Sequence, residues 1–221
     1  MAYLNQMRFY LTIILFHLLL VSHSRGDSAY IDNVAEVFGE SILAPEGTDV
    51  VYATRMPESS LNDLVIESGL NFKAVKDDLG GVEPMLIFRV MNSIHHDLSG
   101  KILIVPQKVM SGRPIRETGA AFFWPDVGQG WVLSLSIFGE HLCVHDKTTV
   151  VTARLSNKFY GVIPAGASNV VADLEGKGYF DNLSEIKKSL ERGPISQDFV
   201  SRLSGEVAEK TLTYILMQQD G

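Results

Sequence analysis

Residues 50–69, VVYATRMPESSLNDLVIESG, carry the decisive local pattern of this chain. The run from Asp49 to Thr54 is β-branched and aromatic, the composition of a buried strand. Pro57 then stands where a first helical turn tolerates it, Glu58 suits the positive end of a helix, and Leu61, Leu64 and Val65 recur at helical spacing. Gly69 marks the stop. A strand that turns at once into an amphipathic helix predicts an α/β domain.

Further strands follow. Met85 to Met91 (MLIFRVM) and Lys101 to Val105 (KILIV) are two, the second closed by Pro106. Gly112, Pro114 and Gly119 break the chain. Ala121 to Trp124, Trp131 to Phe138, His141 to His145 and Thr148 to Leu155 then read as strands of an antiparallel meander, with Val170 to Ala172 as a short late strand. The C-terminal part is helical. Ser184 suits the cap of a helix carrying Ile186 and Leu190, ended by Gly193-Pro194. A longer helix is expected over Ser196 to Met217, its stripe of Phe199, Val200, Leu203, Val207, Leu212, Ile215 and Leu216 packing on the chain's own core. Asp27 to Gly47 shows no clear pattern.

At the other end, Arg8 precedes an apolar run from Phe9 to Val21, shorter than the ~20 residues of a membrane span. Ser22 and Ser24 supply small side chains for cleavage, so residues 1–24 are expected to be a secretory signal and residues 25–221 one exported domain, periplasmic or secreted. No membrane span is expected after cleavage. Removing the leader, which carries Arg8 and no acid, moves the net charge from −7 to −8. That balance, without any basic run, argues against nucleic acid as a partner. Cys143 is the sole cysteine, so stability must come from a packed core, for which 46% apolar residues suffice. Asn182 heads a lone Asn-x-Ser acceptor.

Three pieces carry a family resemblance. The strand, Met-Pro-Glu and helix of Val50 to Gly69, LIFRVMNSIHHDL from Leu86 to Leu98, and LSNKFYGVIPAGASNVVADLEGKG from Leu155 to Gly178 resemble the thioredoxin-like TrbC-type pilus-assembly proteins of F-type conjugation. The resemblance implies a thioredoxin-like mixed sheet with a helical C-terminus, in which a β-rich segment at about 107–154 is an insertion. Where a redox-active member carries Cys-x-x-Cys, this chain has Arg55, Met56, Pro57 and Glu58, so disulfide exchange is chemically closed to it. On this reading Met56, Pro57 and Glu58 contact another envelope protein, and the domain is an assembly or scaffold factor in pilus or secretion-channel biogenesis.

A second resemblance overlaps the first. SSLNDLVIESG followed by VMNSIHHDLSGKILIVP is similar to peptidoglycan-binding LysM modules at both ends, with Asn92, Gly100, Leu103 and Pro106 in the matching places. It implies a cell-wall binding module, with MLIFRV as extra length between the two ends.

The remaining chemistry gathers at His141-Leu142-Cys143-Val144-His145-Asp146. On a strand, positions i, i+2 and i+4 share a face, so His141, Cys143 and His145 would present the ligand types that zinc or copper prefers, with His95, His96 or Asp146 as a fourth ligand. The enzymatic alternative is therefore a metal-dependent activity on that face; the plain alternative is a strand with one buried cysteine. Gly-x-Ser-x-Gly, His-Glu-x-x-His and phosphate-binding glycine loops do not occur in the sequence.

Overall fold

β1 (Thr48–Arg55) is hydrogen-bonded along both edges, to β2 (Met85–Ser93) on one side and to β5 (Gly130–Leu142) on the other. Both neighbours run antiparallel to it. With β3 (Ile102–Pro106) and β6 (Thr149–Leu155), these strands close a barrel in the order β1-β2-β3-β6-β5. All its pairs are antiparallel except β3 with β6. Irregular register at Tyr52/Ala53 and at Ile137/Gly139 supplies the local bending that closure of so few strands requires. A separate two-stranded pair joins β4 (Ala120–Phe122) to β7 (Val162–Pro164). The computed structural model describes residues 31–32, 34–44, 46–81, 84–106, 120–122, 126–155, 162–164, 177–193, 195–203 and 205–219.

Alternation of side chains along each strand divides the apolar residues into three bodies. Val51, Ala53, Phe88, Leu103, Trp131 and Val151 point inward and fill the barrel. Val50 and Val132 point outward on the β1–β5 wall, where they meet α1 (residues 34–43), α4 (Lys177–Arg192) and α6 (Glu206–Gln219) through Phe38, Tyr179, Leu183, Val207 and Ile215. Met85, Ile87, Ile102, Ile104 and Val150 point outward on the β2–β3–β6 wall, under α2 (Ser59–Ile66) and α3 (Phe72–Asp78). DVVYAT is apolar almost throughout because both faces of β1 are covered. The short α5 (Gln197–Val200) lies between α4 and α6 in the chain.

Helix and strand are mixed, as expected, but the sheet is a closed barrel and not an open thioredoxin-like one. The reason lies between β1 and β2. A parallel strand pair needs one helical return, whereas two short helices, α2 and α3, separated by Gly69 at φ +74°, bring β2 back antiparallel. Nor is the segment at 107–154 an insertion, because β5 and most of β6 lie in it and form two of the five barrel strands. Ser184 sits within α4, which begins at Lys177, and the helix expected over 196–217 is broken by Gly205 at φ +96°. Its apolar stripe does pack on the chain's own core: Leu203, Val207, Leu212 and Ile215 are buried. The leader at 1–24 and the strand at Val170–Ala172 lie outside the described residues.

Candidate binding groove

Between α2 and the barrel wall lies an open groove of about 610 Å³. Its first side is set by the turn after β1. The Met56 amide donates to the Ile87 carbonyl at 2.8 Å, Arg55 reaches Glu58 at 3.8 Å, and α2 then presents Ser60, Asp63 and Leu64. The floor is the part of the β2–β3–β6 wall that the helices leave uncovered. Arg89 of β2 pairs in register with Ile102 of β3, and Ile102 with Val150 of β6. Arg89 is exposed and lines the groove with Ser99, Gly100 and Lys101. Gly100 adopts φ +81° and donates to the Val90 carbonyl at 2.8 Å, and Lys101 Nζ is held by Glu140 Oε1 at 2.8 Å.

The turn between β5 and β6 closes the far end through Asp146, Lys147, Thr148 and Thr149. Asp146 Oδ1 accepts from the Thr148 amide at 2.9 Å, an Asx turn that carries Lys147 at φ +59°. That amide, with the Ser68 hydroxyl, holds the Asp146 carboxyl below the usual range. The His145 amide donates to the Ser68 carbonyl at 3.0 Å, tying this turn to the end of α2. Gly69 adopts φ +74°, which favours glycine, and a Cβ there would lie 2.6 Å from the His145 ring unless that exposed side chain moved. The lining thus combines three cations (Arg89, Lys101, Lys147), two carboxylates (Asp63, Asp146) and five hydroxyls (Ser60, Ser68, Ser99, Thr148, Thr149). Among the described residues its lining has no aromatic ring, histidine or cysteine, so these residues offer hydrogen bonds of both senses and neither a stacking platform nor a thiol or imidazole.

Of the partner-binding residues expected from sequence, Met56 lines this groove, and Pro57 and Glu58 are exposed beside it in the chain. The metal face does not form. β5 ends at Leu142, so the period of two that would align His141, Cys143 and His145 stops before the third residue. His141 donates from Nε2 to Asp78 Oδ2, Cys143 is buried against the α2–α3 layer, and His145 lies exposed over Gly69. Burial pushes the Cys143 thiol up, with Asp146 adding to the effect, which disfavours the thiolate that zinc or copper would need.

His95 and His96 serve the fold elsewhere, donating from Nε2 to the carbonyls of Ser41 (2.7 Å) and Thr48 (3.1 Å). Among the described residues no group of three His, Cys, Asp or Glu side chains could hold a metal ion. Of the LysM-like positions, Gly100 lines the groove, Asn92 pairs with Tyr52 on β1, Leu103 fills the barrel and Pro106 ends β3. Sequence reasoning missed Arg89 and the turn Asp146–Thr149. A turn between two strands was the available signal for the latter. The chain matches no protein-family model, no curated protein and no solved structure.

Proposed function

We propose that this protein is an exported, non-catalytic binding module whose groove takes a strand of cell-wall glycan. One observation carries the reading: the two separated ends of the LysM-like segment, SSLNDL and SGKI, line the same groove, at Ser60, Asp63 and Leu64 and at Ser99, Gly100, Lys101 and Ile102. Hydroxyls and balanced charges suit a ligand rich in hydroxyl and amide groups. The acidic balance of the chain disfavours a polyphosphate. A five-stranded Greek-key barrel that binds through the face of its second and third strands and the loops after its first and fourth is a recurrent design for extended polymers. This groove occupies that position, since α2 follows the first barrel strand, Arg89 lies in the second, Lys101 immediately precedes the third, and Asp146–Thr149 follow the fourth. The test is co-sedimentation of the purified protein with insoluble peptidoglycan. The wild type should pellet, and Ser99→Trp, which fills the groove from an exposed position, should stay in the supernatant with unchanged circular dichroism. Wild-type protein that stays in the supernatant would reject the reading.

Contact with another envelope protein during pilus or secretion-channel assembly is the second reading. Exposure of Pro57 and Glu58 beside the groove favours it.

A further inference from the structure

Resting on the glycan reading, we infer that Arg89 and Lys147 recognise the free lactyl carboxylate of a muramic-type amino sugar that carries no peptide stem, where that carboxyl is not tied up as an amide, so that the groove selects stem-free, acid-bearing glycan over neutral glycan. The charged groups of the groove are not equivalent. Lys101 is taken up by Glu140, and Asp146 by the Thr148 amide and the Ser68 hydroxyl. Arg89 and Lys147, in contrast, make no ion pair among the described residues, although both line the groove. Lys147 is also the one non-glycine residue with positive φ among those described, a costly backbone state held in place by the Asx turn. The Asx turn thus fixes the backbone of a cation that lines the groove.

Register sets the geometry. Arg89, Ile102 and Val150 form one rung across β2, β3 and β6, and adjacent strands stand about 4.8 Å apart, so Arg89 lies roughly 10 Å from the β6 position beyond which the Lys147 turn begins. One extended ligand lying across the floor would meet both cations. The two acids, Asp63 and Asp146, make a continuous polyanion a poor occupant. Carboxylates spaced along an otherwise neutral, hydroxyl-rich polymer would reach the cations without forcing every unit past an acid. The guanidinium of Arg89 is suited to a two-point carboxylate contact, and Lys147 to a point-charge contact.

The experiment is calorimetric titration of the full chain with two soluble tetrasaccharides: N-acetylglucosamine alone, and the same sugar alternating with N-acetylmuramic acid. The acid-bearing oligomer should bind about tenfold more tightly, the scale of one charge-assisted contact. Its advantage should fall steeply with added salt. In the double variant Arg89→Gln/Lys147→Asn the ratio should fall to near one; asparagine is chosen because it tolerates positive φ while removing the charge. Equal wild-type affinities, or a preference that survives in the double variant, would overturn the proposal and leave glycan binding standing. Binding of neither oligomer would overturn glycan binding itself, and the proposal with it. Capture of a soluble acidic peptide and of neither sugar would reassign the cations to a protein partner.

Discussion

Asp78 Oδ2 accepts two hydrogen bonds, from His141 Nε2 at 2.7 Å and from Thr152 Oγ1 at 2.6 Å, and these fasten the end of α3 to β5 and β6. A Cβ at Gly139 would lie 2.5 Å from the same oxygen. Imidazole at His141 is thereby spent on the fold. The Thr152 hydroxyl, followed by His141 and opposed by burial, holds the Asp78 carboxyl below its usual value. A depressed folded pKa gives stability that is present above the ordinary carboxylate range and lost as pH falls through it toward the folded value. Urea midpoints measured from pH 7 to pH 3 should therefore fall further for the wild type than for Asp78→Asn. At pH 7, Thr152→Val should cost about 1.5–3 kcal/mol. Parallel pH profiles would reject this role for Asp78.

Asp49 should prove more costly to replace. It is fully buried, and its carboxylate accepts four backbone hydrogen bonds, from Val50, Ile94 and His95 at Oδ1 and from His96 at Oδ2, at 2.7–3.1 Å. These bonds organise the loop between β2 and β3. Asp49→Ala strands one buried and three partly buried amides and should destabilise the protein by about 3 kcal/mol or more. Exposed Asp63→Ala should stay within about 0.5 kcal/mol. Comparable chemical denaturation midpoints for the two variants would sink the claim.

His95 adds a pH dependence of opposite chemistry and the same sign. Burial lowers its pKa, partly offset by the Ser41 carbonyl and the Asp49 charge, so folding favours the neutral imidazole. A base whose folded pKa is depressed binds more protons when unfolded, so stability falls as pH drops through the ordinary imidazole range near 6.5. Between pH 7.5 and 5.5 the melting temperature of His95→Gln should change less than that of the wild type. Glutamine keeps a donor for Ser41 and cannot titrate.

Phe38 tests the helix that the sequence concealed. It is fully buried among Tyr179, Leu183 and Ile215, so Phe38→Ala should cost about 3–5 kcal/mol by calorimetry or denaturant titration. A loss below about 1 kcal/mol would mean that α1 is not part of the core.

Legibility followed the strength of local pattern. β1, α2, β2, β3 and β6 were readable because each carries a period of two or 3.6, or a continuous apolar run. α1 carries Val34, Phe38 and Ile42 four residues apart, yet Gly39 reads as a breaker; in the fold Gly39 is where a Cβ would collide with the Tyr214 ring. α3 has one buried residue, Val75, too little periodicity to announce the second helix that reverses β2. Barrel closure was beyond reach because it depends on the pairing of β1 with β5 across 75 or more intervening residues, which no local signal encodes. Of the residues singled out from sequence for binding, Met56 and Gly100 line the groove, on its first side and its floor. Its third wall, Asp146–Thr149, is placed by the register of β5 against β6, and β5 itself ends at Leu142, short of the metal face's last two residues.

The two functional readings part at the start of α2. Pro57 and Glu58 are exposed, Glu58 makes no side-chain cap, and its ion pair with Arg55 at 3.8 Å is a surface contact worth about 0–1 kcal/mol, so Pro57→Ala with Glu58→Lys should leave the melting temperature within a few degrees of wild type. If the groove binds glycan, that double variant should still pellet with peptidoglycan while Ser99→Trp does not. If the surface binds an envelope protein, the order reverses: the Pro57/Glu58 variant loses capture of the partner in a pull-down from exported extracts. Loss of peptidoglycan binding in the Pro57/Glu58 variant, with Ser99→Trp still binding, would place the ligand outside the groove.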